Sequence, residues 1–352
     1  MKAVAYRQSL PIDDPEALLD CELPDPVPGP QDLLVRVRAI AVNPVDCKIR
    51  KNVDPEADSA KILGWDAAGE VVATGHEVTG FAPGDRVFYA GDLTRPGCNA
   101  EYQTVDARIV GRMPESLDFA QAAALPLTSI TAWELIFDRL CIPETLLSDA
   151  GTASSGASFS GNSPVVIVTG AAGGVGSIAV QLLKKMTHAR VVATASRQES
   201  KAWLRSLGVD EILDHGESLV DQYQALKLPP ADYVLSLTHT DTHYEALIEL
   251  MNPQAKFGLI DDPLTLDIKA FKRKSLSLHW EFMYTRSMFG TQDMAAQQEL
   301  LNRVGKMFDQ RLLRTTMKNH FGEVNAENLR KAHAMLESHQ SIGKIVLSFS
   351  GG

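Results

Sequence analysis

Apolar positions change their period along this chain, and the changes divide it. Leu33, Val35, Val37 and Ala39 alternate with Leu34, Arg36, Arg38 and Ile40, which predicts a strand over residues 33–42 with one mixed face. Shorter strands are expected over residues 2–7, 69–73 and 85–89, and a short helix over 46–50. Gly75, Gly80, Pro83 and Gly84 punctuate them, and PDPVPGP (24–30) admits no regular element. The pattern is that of a small β-rich domain over about the first 125 residues. From residue 119 the period turns helical, with Ala122 to Leu125 and then residues 131–140 after Pro126. Residues 145–163 contain TASSGASFSGNS and read as a surface loop, an insertion without function.

Beyond that loop, strands and helices alternate. Residues 165–169, 190–195, 211–213, 233–237, 256–260 and 275–282 read as strands. A helix over 199–207 closes at Gly208. The alternation predicts a doubly wound parallel sheet, so the fold class is α/β with a β-rich partner domain. Helices follow over 299–308 and 325–337. A last strand, 344–349, has no place in the parallel series and is expected to return to the first domain.

The stretch VVIVTGAAGGVGSIAVQLL (165–183) organises the second half. It runs from an apolar strand through Gly170, Gly173, Gly174 and Gly176 to a helical repeat of Ile178, Ala179, Leu182 and Leu183. Strand, glycine turn and helix form the context of a dinucleotide fingerprint. One glycine permits the turn, one admits the pyrophosphate, and one lets helix and strand approach. Bare amides and the helix dipole then favour the phosphates. Gly170, Ala172, Gly173, Gly174, Val175 and Gly176 are the candidate phosphate-binding residues.

Composition narrows the partners. The 352 residues are 45% hydrophobic and 22% charged, with a net charge of −10. That balance argues against a general nucleic-acid or membrane-surface binder. No apolar run is long enough to span a bilayer, and the N-terminal residues lack a signal-peptide core. Cys21, Cys47, Cys98 and Cys141 are scattered, which suits reduced thiols in a cytoplasmic protein.

Several segments together resemble a known family. They are AVNPVDCKIR (41–50), LGWDAAGEVVATG (63–75), GDRVFYAG (84–91), AALPLTSITAWE (123–134), VTGAAGGVGSIAVQLLK (168–184) and IGKIVL (342–347). The chain resembles the medium-chain dehydrogenase/reductase superfamily, in its zinc-independent quinone oxidoreductase-like branch. The subgroup is often labelled zinc-binding alcohol dehydrogenase family protein. The resemblance implies a GroES-like catalytic domain (1–127 and 287–352), a Rossmann domain (128–286), and a cleft holding NAD(P)H. It also implies a homodimer, with residues 275–282 as the edge strand through which relatives pair; a covering helix would instead make the edge monomeric.

Departures from the family pattern set the expected chemistry. Asn43, Trp65 and about Leu127 stand where zinc alcohol dehydrogenases carry their catalytic ligands, and they cannot supply a tetrahedral N/S set. Near Cys98 there are no further cysteines for a structural zinc. A new site from Cys47, Asp46 and His76 matches no ligand spacing, so no metal is expected. Without a Lewis acid, hydride delivery to a quinone or α,β-unsaturated carbonyl is favoured over alcohol oxidation. Two rivals stay open: reduction of an enoyl thioester or aldehyde, and a nucleotide-binding regulatory role with little turnover.

The second strand of the nucleotide domain ends Ala195-Ser196-Arg197, with Lys201 one turn on and no carboxylate for a ribose diol. Ser196, Arg197 and Lys201 suit a 2′-phosphate, which selects NADPH. His215 stands where relatives often place a tyrosine. His239 and His243 follow the fourth strand and read as polar loop residues. The candidate catalytic residues are Asn43, Thr128 and Tyr89. Asn43 either meets a substrate carbonyl or a water, or simply forms the turn before Pro44. Thr128 matches the family's nicotinamide contact. Tyr89 is either a proton donor or an aromatic core residue. Trp65 is expected to shape the pocket wall, Asp66 to hold backbone near Asn43, and Gly343 and Lys344 to close over the cofactor.

Overall fold

A computed structural model describes residues 1–57, 59–145 and 163–350. The loop expected over 145–163 lies almost wholly outside the described residues. The chain forms two compact units: a split unit of Met1–Ile130 with Met283–Gly352, and a continuous unit of Thr131–Phe282. The boundaries differ by a few residues from those expected, and Thr128 falls in the split unit.

The split unit is built on the Asp32–Val42 strand. Leu33, Val35 and Val37 are buried while Arg36 is exposed, following the alternation in the sequence. From Ala39 to Val42 both faces are covered. Asp32–Val42 pairs antiparallel with Ala67–Thr74, with Tyr102–Asp106 and with Lys344–Ser348. The last strand therefore does return to the first domain, placing Ile345 against Val42 and Leu347 against Ile40. Beyond it lies Met317–Glu323, and on the other side Arg86–Tyr89 and Val110–Arg112. Leu19–Glu22 and Lys61–Ile62 flank Lys2–Tyr6 in a small separate sheet. The helix expected over 46–50 is longer, Pro44–Asn52, because Pro44 occupies its first turn and lacks only an amide that would be unbonded there.

The continuous unit holds six parallel strands in the order Glu211–Leu213, Arg190–Thr194, Val165–Thr169, Ala231–Ser236, Met251–Leu259, Ser277–Trp280. This is the Rossmann order, and it reverses direction beside Val165–Thr169. Val165 to Thr169 are all buried, as a central strand covered on both faces requires. The core joins Ile167, Val192, Val234, Leu247 and Phe257. Helix Gln198–Leu207 ends at Gly208 with φ +92°, the left-handed cap anticipated from its sequence. Ser277–Trp280 ends the sheet, with Trp280 52% and Phe282 47% exposed.

Candidate active site

The glycine turn has the form its sequence predicts. Gly170 adopts φ +65°, and a Cβ there would lie 2.8 Å from Thr238 Cγ2. Gly173 caps the Gly174–Met186 helix without a side-chain bond. Ser177 N–H bonds the Gly173 carbonyl at 2.9 Å, which leaves the amides before it outside the helical ladder. At Gly176 a Cβ would stand 2.4 Å from Ala171 Cα, so this glycine sets how close the helix comes to the turn. Ala172, Gly173, Gly174 and Val175 stay partly exposed. Accessible amides at the N-terminus of a long helix fit a pyrophosphate.

At the C-terminal ends of neighbouring strands, Ser196 Oγ meets His215 Nε2 at 3.1 Å. His243 lies on the first turn of the Thr240–Leu250 helix, its ring 6.2 Å from that of His215. His239 precedes that helix with φ +53°. Lys201, expected to meet a phosphate, bonds Asp214 Oδ2 at 2.8 Å. Asp214 is held below the usual carboxylate range, chiefly by that bond. His215 is pushed below its ordinary value, first by burial, with Asp214 opposing and His239, Arg197 and Lys201 adding repulsion. His243 is lowered by burial and by the other two histidines.

In the split unit, Lys344 is 3% exposed and joins three acceptors. Its Nζ donates to Val42 O at 3.1 Å and to Asn43 Oδ1, and lies 3.0 Å from Asp66 Oδ2. Asp66 also accepts Asn43 Nδ2 at 3.1 Å and Leu127 N–H at 3.1 Å. Burial raises Asp66, against the pull of Lys344. Asp46 accepts Asn43 N–H at 2.8 Å and is raised by burial to about 7. Both ends of the Asn43 amide are thus bonded within the protein. Lys344, read from sequence as a closing group, is the cation of this buried network. Asp66 holds backbone at Leu127 as well as the Asn43 side chain.

Thr128 donates to Leu125 O at 3.2 Å and is 2% exposed. Tyr89 is 1% exposed, and its hydroxyl has no hydrogen-bond partner among the described residues. Burial pushes that phenol well up, which makes it a poor acid. Trp65 is buried and donates Nε1 to Asp92 O at 2.9 Å.

The cysteine–histidine grouping also differs from the spacing considered in the sequence. His76 is exposed; Cys47 instead meets His333 and Glu337, with donor atoms within 4.8 Å of one another. Glu337 is already bonded by Arg50 and paired with Lys51 at 2.9 Å, so two fixed cations oppose a third. His333 is fully buried, neither ring nitrogen has a partner among the described residues, and its value falls to about 3.

Comparison with known proteins agrees with both units. The alcohol dehydrogenase GroES-like domain model matches residues 29–115, and the zinc-binding dehydrogenase model matches residues 207–347. A zinc-type alcohol dehydrogenase-like protein of Staphylococcus aureus is 37% identical, covering 99% of this chain and 100% of its own. A crystal structure of a putative zinc-dependent alcohol dehydrogenase protein from Rhizobium etli shares 49% identity at TM-score 0.92, over 100% of this chain and 99% of that one. The 2-methylene-furan-3-one reductase of Solanum lycopersicum is 34% identical, over 64% of this chain and 56% of its own. The chain belongs to the medium-chain dehydrogenase/reductase superfamily and is an oxidoreductase of that kind.

Proposed function

We propose that the protein is a zinc-independent, NADPH-dependent reductase of quinones or α,β-unsaturated carbonyls. The observation that carries this reading is the Lys344–Asn43–Asp66 network. Where zinc dehydrogenases place a thiolate ligand, this chain has an amide whose oxygen already binds an ammonium. Trp65 and Leu127, at the other two ligand positions, bring no metal donor. These three positions therefore support a reading without the zinc named in the family model and in the relatives.

A conjugated acceptor needs no metal, because its own π-system spreads the charge left by hydride addition. Bound NADPH would supply the hydride. Asn43 and Thr128 are committed to internal bonds and would shape and polarise the wall of the site rather than act as acids. Tyr89, a buried raised phenol, is a poor donor, so water completes protonation of the enolate or quinol oxygen. The name of the tomato relative, a 2-methylene-furan-3-one reductase, points to the same class of conjugated carbonyl.

Ser196 and Arg197 at the end of the second strand, with no carboxylate there, support NADPH over NADH. Exposed Trp280 and Phe282 beside the edge strand Ser277–Trp280 support a homodimer. The four free cysteines accord with a cytoplasmic setting. Among the described residues no helix is long and apolar enough to cross a membrane.

The test is NADPH oxidation with a benzoquinone, a naphthoquinone, a simple enone, an enoyl thioester and an aldehyde, NADH in parallel and chelator present. Chelator-resistant turnover of the quinones or the enone is expected. Stoichiometric zinc in the purified protein, with activity lost on chelation, would overturn the reading.

A further inference from the structure

The nucleotide pocket of the continuous unit holds fewer fixed cations than its sequence suggests. A 2′-phosphate carries about −1.5 to −2 charges at pH 7. Of the two cations expected to meet it, Lys201 is tied to Asp214 at 2.8 Å. Arg197, Lys201 and Asp214 together leave a single net positive charge.

Three histidines stand around that deficit. His215 is bonded to Ser196, the hydroxyl at the end of the second strand. His243 reaches it from the helix after the fourth strand, ring centres 6.2 Å apart. His239 stands at the N-terminal cap of the same helix as His243. The charged groups facing the rings are Asp214, Arg197 and Lys201 around His215, and Asp241 beside His243. Burial first, and then neighbouring positive charge, hold His215 and His243 below the ordinary histidine value. A phosphate among them reverses the sign of the local potential.

We propose that His215 and His243 form a proton-taking phosphate pocket, in which binding of the NADPH 2′-phosphate draws at least one proton onto them. The inference rests on the NADPH reading above and adds to it a source of cofactor selectivity. The histidines supply the positive charge that Lys201 gives to Asp214. The sign follows from linkage: the bound state holds more protons than the free state, so NADPH affinity falls as pH rises. From about pH 7.5 to 8.5 the phosphate itself is almost wholly a dianion, and proton uptake there belongs to the histidines. NADH lacks the phosphate, so its affinity stays flat over the same range.

The experiment is calorimetric titration of the full chain with NADPH and with NADH at pH 6.5, 7.5 and 8.5. Each is run in buffers of different ionisation enthalpy, so that protons are counted directly. NADPH should take up protons, and its Kd should rise by up to about tenfold per pH unit for each proton bound. His215→Gln and His243→Gln should each reduce the uptake and flatten the slope while NADH binding is retained. Tight NADPH binding with no more proton uptake than NADH would overturn the inference and leave the cofactor reading standing. NADPH binding no tighter than NADH at any of these pH values would overturn both.

Discussion

Replacing Lys344 by Met tests the buried network where its energy is concentrated. The side chains of Lys344 and Asp66 are 3% and 0% exposed. Met fills a similar volume but removes the ammonium 3.0 Å from Asp66 Oδ2. Asp66 keeps its bonds from Leu127 and Asn43, and Asn43 Oδ1 loses its donor. Breaking one side of a buried pair costs about 3–5 kcal/mol, most of it the stranded charge. Native-state hydrogen exchange of amides in the Asp32–Val42 strand should therefore accelerate by about 10²–10⁴-fold where exchange follows opening of the unit. The deficit depends on pH. A carboxyl whose folded value lies above its unfolded one binds more protons when folded, so stability falls as pH rises through that window. Asp66 is already raised, and Lys344→Met raises it further, so the deficit should be largest at neutral pH and shrink on acidification. Asp66→Asn in the same background should recover much of the loss. A loss below about 1 kcal/mol at pH 7, or one indifferent to pH, would refute the assignment of Lys344 as the partner of a buried charge.

Gly176→Val places atoms where even a Cβ would be 2.4 Å from Ala171 Cα, so the helix must shift. NADPH affinity should drop at least tenfold in calorimetry; unchanged affinity in a folded variant would remove the glycine turn from the site. Arg197→Ala with Lys201→Ala should raise the KM for NADPH far more than for NADH, and an unchanged ratio would exclude both from the 2′-phosphate. His333, lowered to about 3 by burial, is neutral when folded and protonates when unfolded below its ordinary 6.5. Stability should thus fall as pH drops below 6.5, by about 2 kcal/mol at pH 5 from this group. His333→Asn should lack that share in urea titrations at pH 7.5 and 5; equal acid sensitivity would count against the shift.

Features that depend on neighbours in sequence were readable, and those that depend on distant ones were not. The strand, glycine turn and helix of residues 165–183 lie within one stretch, and all three appear where expected. The Asp32–Val42 strand announced its buried face by alternation. Lys61–Ile62 and Val110–Arg112 are too short to show a period, and Met317–Glu323 is polar throughout most of its length. The pairing of Lys201 with Asp214 was not readable, because Asp214 arrives from the next strand. His243 looked like a loop residue because its neighbour His215 belongs to a different crossover. The buried role of Lys344 had a signal in its apolar surroundings, IGKIVL, where a lone cation demands a partner.

The pairing of Lys344 with Asp66 also imposes an order on events at the ribosome. Asp66 is made early, the whole continuous unit follows, and only then does Lys344 appear. At about 5–20 residues per second the carboxylate waits on the order of tens of seconds for its counter-ion. During that interval the sheet around Asp32–Val42 lacks the Lys344–Ser348 strand, and Asp66 can enter an apolar interior only by taking a proton. The continuous unit, Thr131–Phe282, is complete before Lys344 is made. A protein whose two halves mature in this sequence presents the glycine turn of residues 170–176 before the strand beside Asn43 is complete. If that turn holds a dinucleotide as proposed, the ligand would stabilise the finished half while the other awaits its last strand.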